Sequence, residues 1–267
     1  MAATDVAQKL APRKAECLAV DPFAQEGFDL RFDWGAAGLA RLAPQAGVVV
    51  LVDVLSFTTA VDVAVSRGAA VVPAPWGGPA TASPGELVAV GRSQMDAEHP
   101  WSLSPASLIT LPAGSRLVLP SPNGGALARS AGTSGATHVL AGCLRNASAV
   151  AAAAGEAGGV ITLIAAGERQ GPDAELRPAL EDLLGAGAVL AALAGAGRSA
   201  SPEAVAAVAA LASMRHGLAE VLWECASGRE LRAGGFLADV EMAAALDVST
   251  IVPRLDEGAF SAGTVRP

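Results

Sequence analysis

With 267 residues the chain can bury a large core, either as one domain or as two packed lobes. Its 18 Lys and Arg against 26 Asp and Glu leave a net charge of −8, which excludes the clustered basic surface that non-specific nucleic-acid binding needs. Hydrophobic residues at 52% and charged ones at 16% exclude a disordered polyelectrolyte, and the mean hydropathy of +0.43 comes largely from alanine.

Residues 1–25 are mixed and aperiodic and read as a partly flexible N-terminal segment ahead of an α/β domain over 26–267. They carry no apolar h-region, so no secretory signal is expected and a cytoplasmic setting is the default. VVVLVDV at 48–54 is the continuous β-branched run of a strand covered on both faces. It leads through Ser56, Phe57, Thr58 and Thr59 into a helical pattern, AVDVAVSRGA, closed by Gly68. A short strand is expected at 70–73, a loop over 76–84, and a second short strand at 116–119. The latter runs into Pro122, Asn123, Gly124 and Gly125 and a helix-prone ALARSAG. A strand at 137–141 turns into Asn146-Ala147-Ser148, the opening of an Ala-rich helix. VITLIA at 160–165 exits at Gly167, Glu168 and Arg169.

The second half is more helical. Leu180, Leu183, Leu184, Val189, Leu190 and Leu193 recur at helical spacing, and Ser201-Pro202 supplies an N-cap and a proline at the first helical position. The longest apolar stretch read here, residues 183–197, is mainly Gly and Ala and shorter than the roughly 20 residues of a membrane span. Ile251 and Val252 read as a last strand. Strands alternating with helices predict an α/β fold, with a largely parallel or mixed sheet flanked by helices.

Ligands of parallel α/β sheets bind beyond the carboxyl ends of the strands. The polar residues at those exits are Asp53, Ser56, Thr58 and Thr59, then Asn123, Asn146, and Glu168 with Arg169. The helix starts at Thr58, Gly125 and Asn146 offer free N–H groups suited to phosphate, and the carboxylates of Asp53 and Glu168 suit Mg2+. The competing reading is that these are caps and turns, common at any βα junction. Arg177 and Glu181, four apart on an expected helix, form either an exposed ion pair or, with Asp182, carboxylates at the core edge that need an arginine or a metal. Cys17, Cys143 and Cys225 match no disulfide framework or zinc spacing, and Cys143 reads as a buried structural thiol. His99, His138 and His216 carry no catalytic pattern, and no Ser-His-Asp order, Walker loop or dinucleotide fingerprint is present.

VVVLVDVLSFTTAVDVAVSRGAAVV, SPNGGALA, AGCLRNASAVAAAA and RPALEDLLGAGAVLAAL, with the closing GFLADVEMAAALDVSTIVPRL, occur in this order. Together they resemble the 2-phosphosulfolactate phosphatase family of Mg2+-dependent phosphatases, over about residues 48–255. The resemblance implies hydrolysis of 2-phospho-3-sulfolactate to 3-sulfolactate and phosphate, a step towards coenzyme M. Asp53, Asn123, Gly124, Asn146, Glu181, Asp182, Gly187 and Asp239 fall on its motifs. Ser56 stands where the family usually has arginine, which leaves Arg92 or Arg169 to supply that charge. The expected catalytic residues are therefore Asp53, Asn123 and Asn146. Ser56, Thr58, Thr59, Arg92, Gly124, Gly125 and Arg169 are expected to bind substrate, and Asp53, Glu168, Glu181 and Asp182 to bind Mg2+. The expected partner is a small anionic phosphorylated substrate, with no nucleic acid and no membrane, and a homodimer is allowed. Two other functions fit the same residues: a phosphatase for a different small anionic phosphate ester, and a non-catalytic α/β protein that binds an anionic metabolite.

Overall fold

Val48–Val52 is buried along its whole length, as its unbroken β-branched run requires, and forms strand β2. Val48, Val50 and Val52 enter one hydrophobic cluster while Val49 and Leu51 enter another, so the strand is covered on both faces. The computed structural model describes residues 21–77, 82–169, 175–194 and 197–263. Cys17, the first twenty residues of the predicted N-terminal segment and part of the predicted 76–84 loop lie outside the described residues.

The other strands are β1 (Leu30–Trp34), β3 (Ala70–Pro75), β4 (Leu87–Val88), β5 (Arg116–Ser121), β6 (His138–Gly142), β7 (Ile161–Ala165), β8 (Pro253–Asp256) and β9 (Ala259–Ala262). They form one nine-stranded sheet in the order β1-β7-β2-β6-β8-β9-β3-β5-β4. Two parallel blocks, β1-β7-β2-β6 and β3-β5-β4, are joined by the β8–β9 hairpin, which pairs antiparallel with β6 on one side and β3 on the other.

The predicted last strand at Ile251 and Val252 is corrected by this hairpin, which begins at Pro253. Its two-residue turn, Glu257-Gly258, has φ of 47° and 79°, the double positive φ of a type I′ turn. The isolated pair of β-branched residues drew the sequence reading one step too early.

Helices α1 (Gly35–Leu42), α2 (Phe57–Ser66), α3 (Gly124–Ala131), α4 (Ala147–Ala157), α5 (Leu180–Leu193) and α6 (Pro202–Met214) cover the sheet. Gly68, at φ +81°, ends the α2 segment in a conformation that an L side chain rarely adopts. Ser201 Oγ accepts from Ala204 N, as the predicted N-cap should. One cluster packs α4, α5 and α6 on one face through Val150, Val189, Leu190 and Leu211. The other packs α1, α2 and α3 through Leu39, Val61 and Leu127. Each fully buried Leu, Ile or Val contributes about 1.5–3 kcal/mol.

Beyond α6 come α7 (Leu218–Glu224), α8 (Ala226–Ala233) and α9 (Leu237–Ala244). The continuous helical run Pro202–Glu224 is long and apolar enough, by length and composition, to cross a membrane, a stretch the sequence reading passed over. Its alanine-rich inner face, including Ala204 and Ala207, is part of the core. Arg177 and Glu181 do not share a helix, because α5 begins at Leu180 and the backbone of Arg177 pairs with Glu168. The guanidinium of Arg177 donates to Ser227 Oγ and Pro178 O instead of forming the predicted pair.

Candidate functional site

Asp53 leaves β2 at its carboxyl end and is held from two directions. Its Oδ1 accepts from Phe57 N at 3.2 Å, and its Oδ2 accepts from Gly124 N at 2.8 Å. A Cβ at Gly124 would stand 2.5 Å from Asp53 Oδ2 and 2.5 Å from Phe57 Cδ1, so only glycine lets the start of α3 approach this carboxylate. Thr58 Oγ1 accepts from Asp53 N and donates to Asp53 O, while Thr59 Oγ1 donates to Val54 O.

Asp53 opens onto a cavity of about 340 Å³ whose polar wall includes Ser56, Arg92, Asn123, Glu168 and Glu230. Asn123 follows β5 and Glu168 follows β7, so three strand ends meet here, as expected for this class of sheet. Asn123 Nδ2 donates to Glu168 Oε1 at 2.9 Å, and the buried Oδ1 of Asn123 has no hydrogen-bond partner among the described residues.

Arg92 forms the cationic wall. Its Nη2 donates to Ser56 Oγ at 2.8 Å and to Leu103 O at 3.3 Å, and its Nε and Nη2 both reach Asp239 Oδ2 at 3.4 Å. Its guanidinium carbon stands 5.3 Å from the centre of the Phe236 ring. Ser56 precedes α2 but makes no side-chain cap bond, so its hydroxyl serves Arg92 and not the helix.

The carboxylates crowd one another. Burial pushes Asp53 up to about 7, against the pull of the Phe57 N–H, and the charges of Glu168 and Glu181 add to the rise. Burial also raises Glu168, with Glu230 and Glu181 contributing. Asp182 stands well above the usual carboxylate range, first through burial and then through Asp53 and Glu181.

The divalent cation implied by the sequence resemblance needs hard oxygen donors. Among the described residues no three His, Cys, Asp or Glu side chains form a ready-made cage. Mg2+ does not need one, since it is usually bound by one or two carboxylates together with water and substrate phosphate. Asp53 and Glu168 supply such a pair on one cavity, and Asn123 Oδ1 is an unused oxygen beside it. The residues fit a hard, oxygen-loving cation, whose charge would relieve the carboxylate crowding.

Several predicted residues are placed elsewhere. Asn146 is fully buried; its Oδ1 accepts from Cys143 N and its Nδ2 donates to Ala141 O and Ile251 O, so it braces the chain outside the cavity. Thr58 and Thr59 are fully buried and committed to backbone bonds, which removes them from contact with substrate. Gly124 acts through its N–H on Asp53, and Gly125 is packed against Ala74. Asp182 spends Oδ1 on Val54 N at 2.7 Å and Oδ2 on Gly167 N at 2.9 Å, clamping the exits of β2 and β7 together. Glu181 is 2% exposed and is absent from the cavity wall, and its buried Oε2 has no hydrogen-bond partner among the described residues. Arg169 lines a separate, smaller cavity that shares Asn123. Cys143 is a buried thiol pushed up to about 12 by that burial, as its structural reading expected.

Sequence reasoning missed the wall supplied by Ser227, Glu230, Leu231 and Phe236. The signal was the charged, amphipathic SGRELRAGGF around α8.

Among curated proteins no relative matches the chain. The family model of 2-phosphosulpholactate phosphatase matches residues 89–258, more than half of the chain. The matched stretch contains Arg92, Asn123, Glu168 and Asp239, whereas Asp53 and Ser56 precede it and are tied to the site by geometry alone. On this match the chain belongs to the 2-phosphosulpholactate phosphatase family and is a phosphatase enzyme of metal-dependent type.

Proposed function

We propose that this protein hydrolyses 2-phospho-3-sulfolactate to 3-sulfolactate and inorganic phosphate, with Mg2+ as the metal. The carrying observation is that one cavity joins a carboxylate pair, Asp53 and Glu168, to a fixed guanidinium, Arg92, where three strands end. Mg2+ bound there supplies Lewis-acid polarisation of a phosphoryl oxygen. Asp53 and Glu168 would hold it, with Asn123 Oδ1 as a further oxygen donor. Arg92 has Nη1 free of any bond to the described residues, and those N–H groups offset the negative charge on the phosphoryl oxygens. Glu168 Oε1 accepts from Asn123 Nδ2 and from Arg169 N, which fixes the carboxylate in the cavity. Attack by water on phosphorus breaks the ester P–O bond, and the sulfolactate alkoxide leaves with a proton. The setting proposed is cytoplasmic, in keeping with the unpaired, buried thiols of Cys143 and Cys225.

Phosphate release from a panel of phosphate esters, with Mg2+ and after chelation, tests this function. Metal-dependent turnover with phosphosulfolactate as the preferred ester is expected. Preference for another ester assigns the second phosphatase reading, and tight binding without turnover assigns a binding protein.

A further inference from the structure

Asn123 is a partition between two cavities. On one side lies the site just described; on the other lies a smaller space of about 100 Å³, between the start of α1 and the flank of α3. Gly35, Ala36, Ala126 and Ala166 give it small, uncharged walls, and Ser130 and Arg169 are its other polar groups. Arg169 differs from Arg92. The latter is bonded to Ser56, Leu103 and Asp239, whereas the guanidinium of Arg169 has no hydrogen-bond or ion-pair partner among the described residues. An arginine without a counter-charge, on the wall of a small pocket in a protein of net charge −8, is matched to an acidic ligand group.

The backbone joins the two sites. Arg169 N donates to Glu168 Oε1 at 3.2 Å, and the same oxygen accepts from Asn123 Nδ2. The carboxylate of the first cavity and the cation of the second are therefore successive residues, set in place by one hydrogen-bonded unit. Pro122 and Asn123 line both cavities, so the space beside Asp53 and Glu168 and the space beside Arg169 adjoin at this turn.

We infer that this smaller cavity is a second anion subsite, in which Arg169 binds the non-reacting sulfonate or carboxylate of the substrate while its phosphate occupies the main cavity. The inference rests on the phosphatase function proposed above and gives it a specificity-determining residue. Preferred substrates are then phosphate esters carrying a compact second acid a few bonds from the ester oxygen.

The test compares phosphosulfolactate with glycerol 2-phosphate, which bears hydroxyls where the former bears acids. Arg169→Gln is expected to lower kcat/KM for phosphosulfolactate about 10- to 100-fold, the effect of losing one charge-assisted contact. The loss on glycerol 2-phosphate should be at least tenfold smaller, and Arg169→Lys should restore part of the difference. Equal losses on both esters, or no loss on either, overturn the subsite. If the wild-type enzyme turns over neither ester, the phosphatase reading fails and calorimetry with 3-sulfolactate still decides the subsite. Weaker binding to the Arg169→Gln protein supports it, and equal affinity overturns it.

Discussion

Asp239 is 1% exposed and makes its bonds in two directions. Oδ2 faces Arg92 Nε and Nη2 at 3.4 Å, while Oδ1 accepts from Ser104 Oγ at 2.5 Å and Ala106 N at 3.2 Å. Asp239→Asn keeps the shape but removes the charge, and its amide NH2 must face donors on one side or the other. Breaking a buried ion pair costs about 3–5 kcal/mol. Here the Arg92 side chain is 21% exposed and the contacts are long, so about 2–3 kcal/mol is the appropriate scale. At roughly 2–4 °C per kcal/mol for a chain of this size class, Tm should fall by about 5–10 °C. The freed guanidinium should also bind the phosphoryl group less well, raising KM about tenfold, the scale of one charge-assisted bond, with a smaller change in kcat. Thermal melting and steady-state phosphate release on the same preparation measure both effects. A lowered Tm with an unchanged KM would refute the anchoring role, and an unchanged Tm would refute the energetic argument itself.

Asp53→Asn should lower metal-dependent turnover by roughly 10²-fold, the scale of one major electrostatic contributor, in a protein that still folds; initial rates of phosphate release check this. Gly124→Ala should cut activity and stability together, because its Cβ would meet Asp53 Oδ2 and Phe57 at 2.5 Å; rates and melting must fall in parallel, and a change in only one of them contradicts the packing argument. In metal-free protein, burial raises Asp53 from 3.8 to about 7. Its contribution to stability is therefore complete below about pH 4 and is lost as pH rises through about 7. The Tm of Asp53→Asn should accordingly gain on that of the wild type between pH 4 and 8, and a constant difference would disprove the shift.

Much of the fold was legible because strands buried on both faces are written as unbroken apolar runs. The segments 48–54 and 160–165 show this, and β2 and β7 lie inside them. Asp53, Asn123 and Glu168 could be picked out because strand exits in such sheets converge, so proximity follows from topology. Asn146 obeyed the same rule yet was drawn under the backbone by carbonyls at Ala141 and Ile251, which no spacing reveals. Thr58 and Thr59 stand out in the sequence as polar residues at a strand exit and helix start, but their buried hydroxyls are spent on the carbonyls of Asp53 and Val54. The wall from α8 to Phe236 offered only the charged, amphipathic pattern of α8 as a signal: it is remote in sequence from the strand exits, and tertiary packing brings it across the cavity.

The β8–β9 hairpin also fixes an order of events. Among the described residues it is the only link in the sheet between the block carrying Asp53 and Glu168 and the block carrying Asn123. Both blocks are translated before residues 253–262 exist, so on the ribosome they can form as separate halves with an open edge each. Bringing those edges together requires pairing His138–Gly142 with Pro253–Asp256, and Ala70–Pro75 with Ala259–Ala262, over long stretches of chain. Such distant pairings are slow to form and leave unpaired edges exposed while they wait. The candidate site thus spans a seam that the last strands close within the sheet, while α2 and α3 pack across it on both blocks.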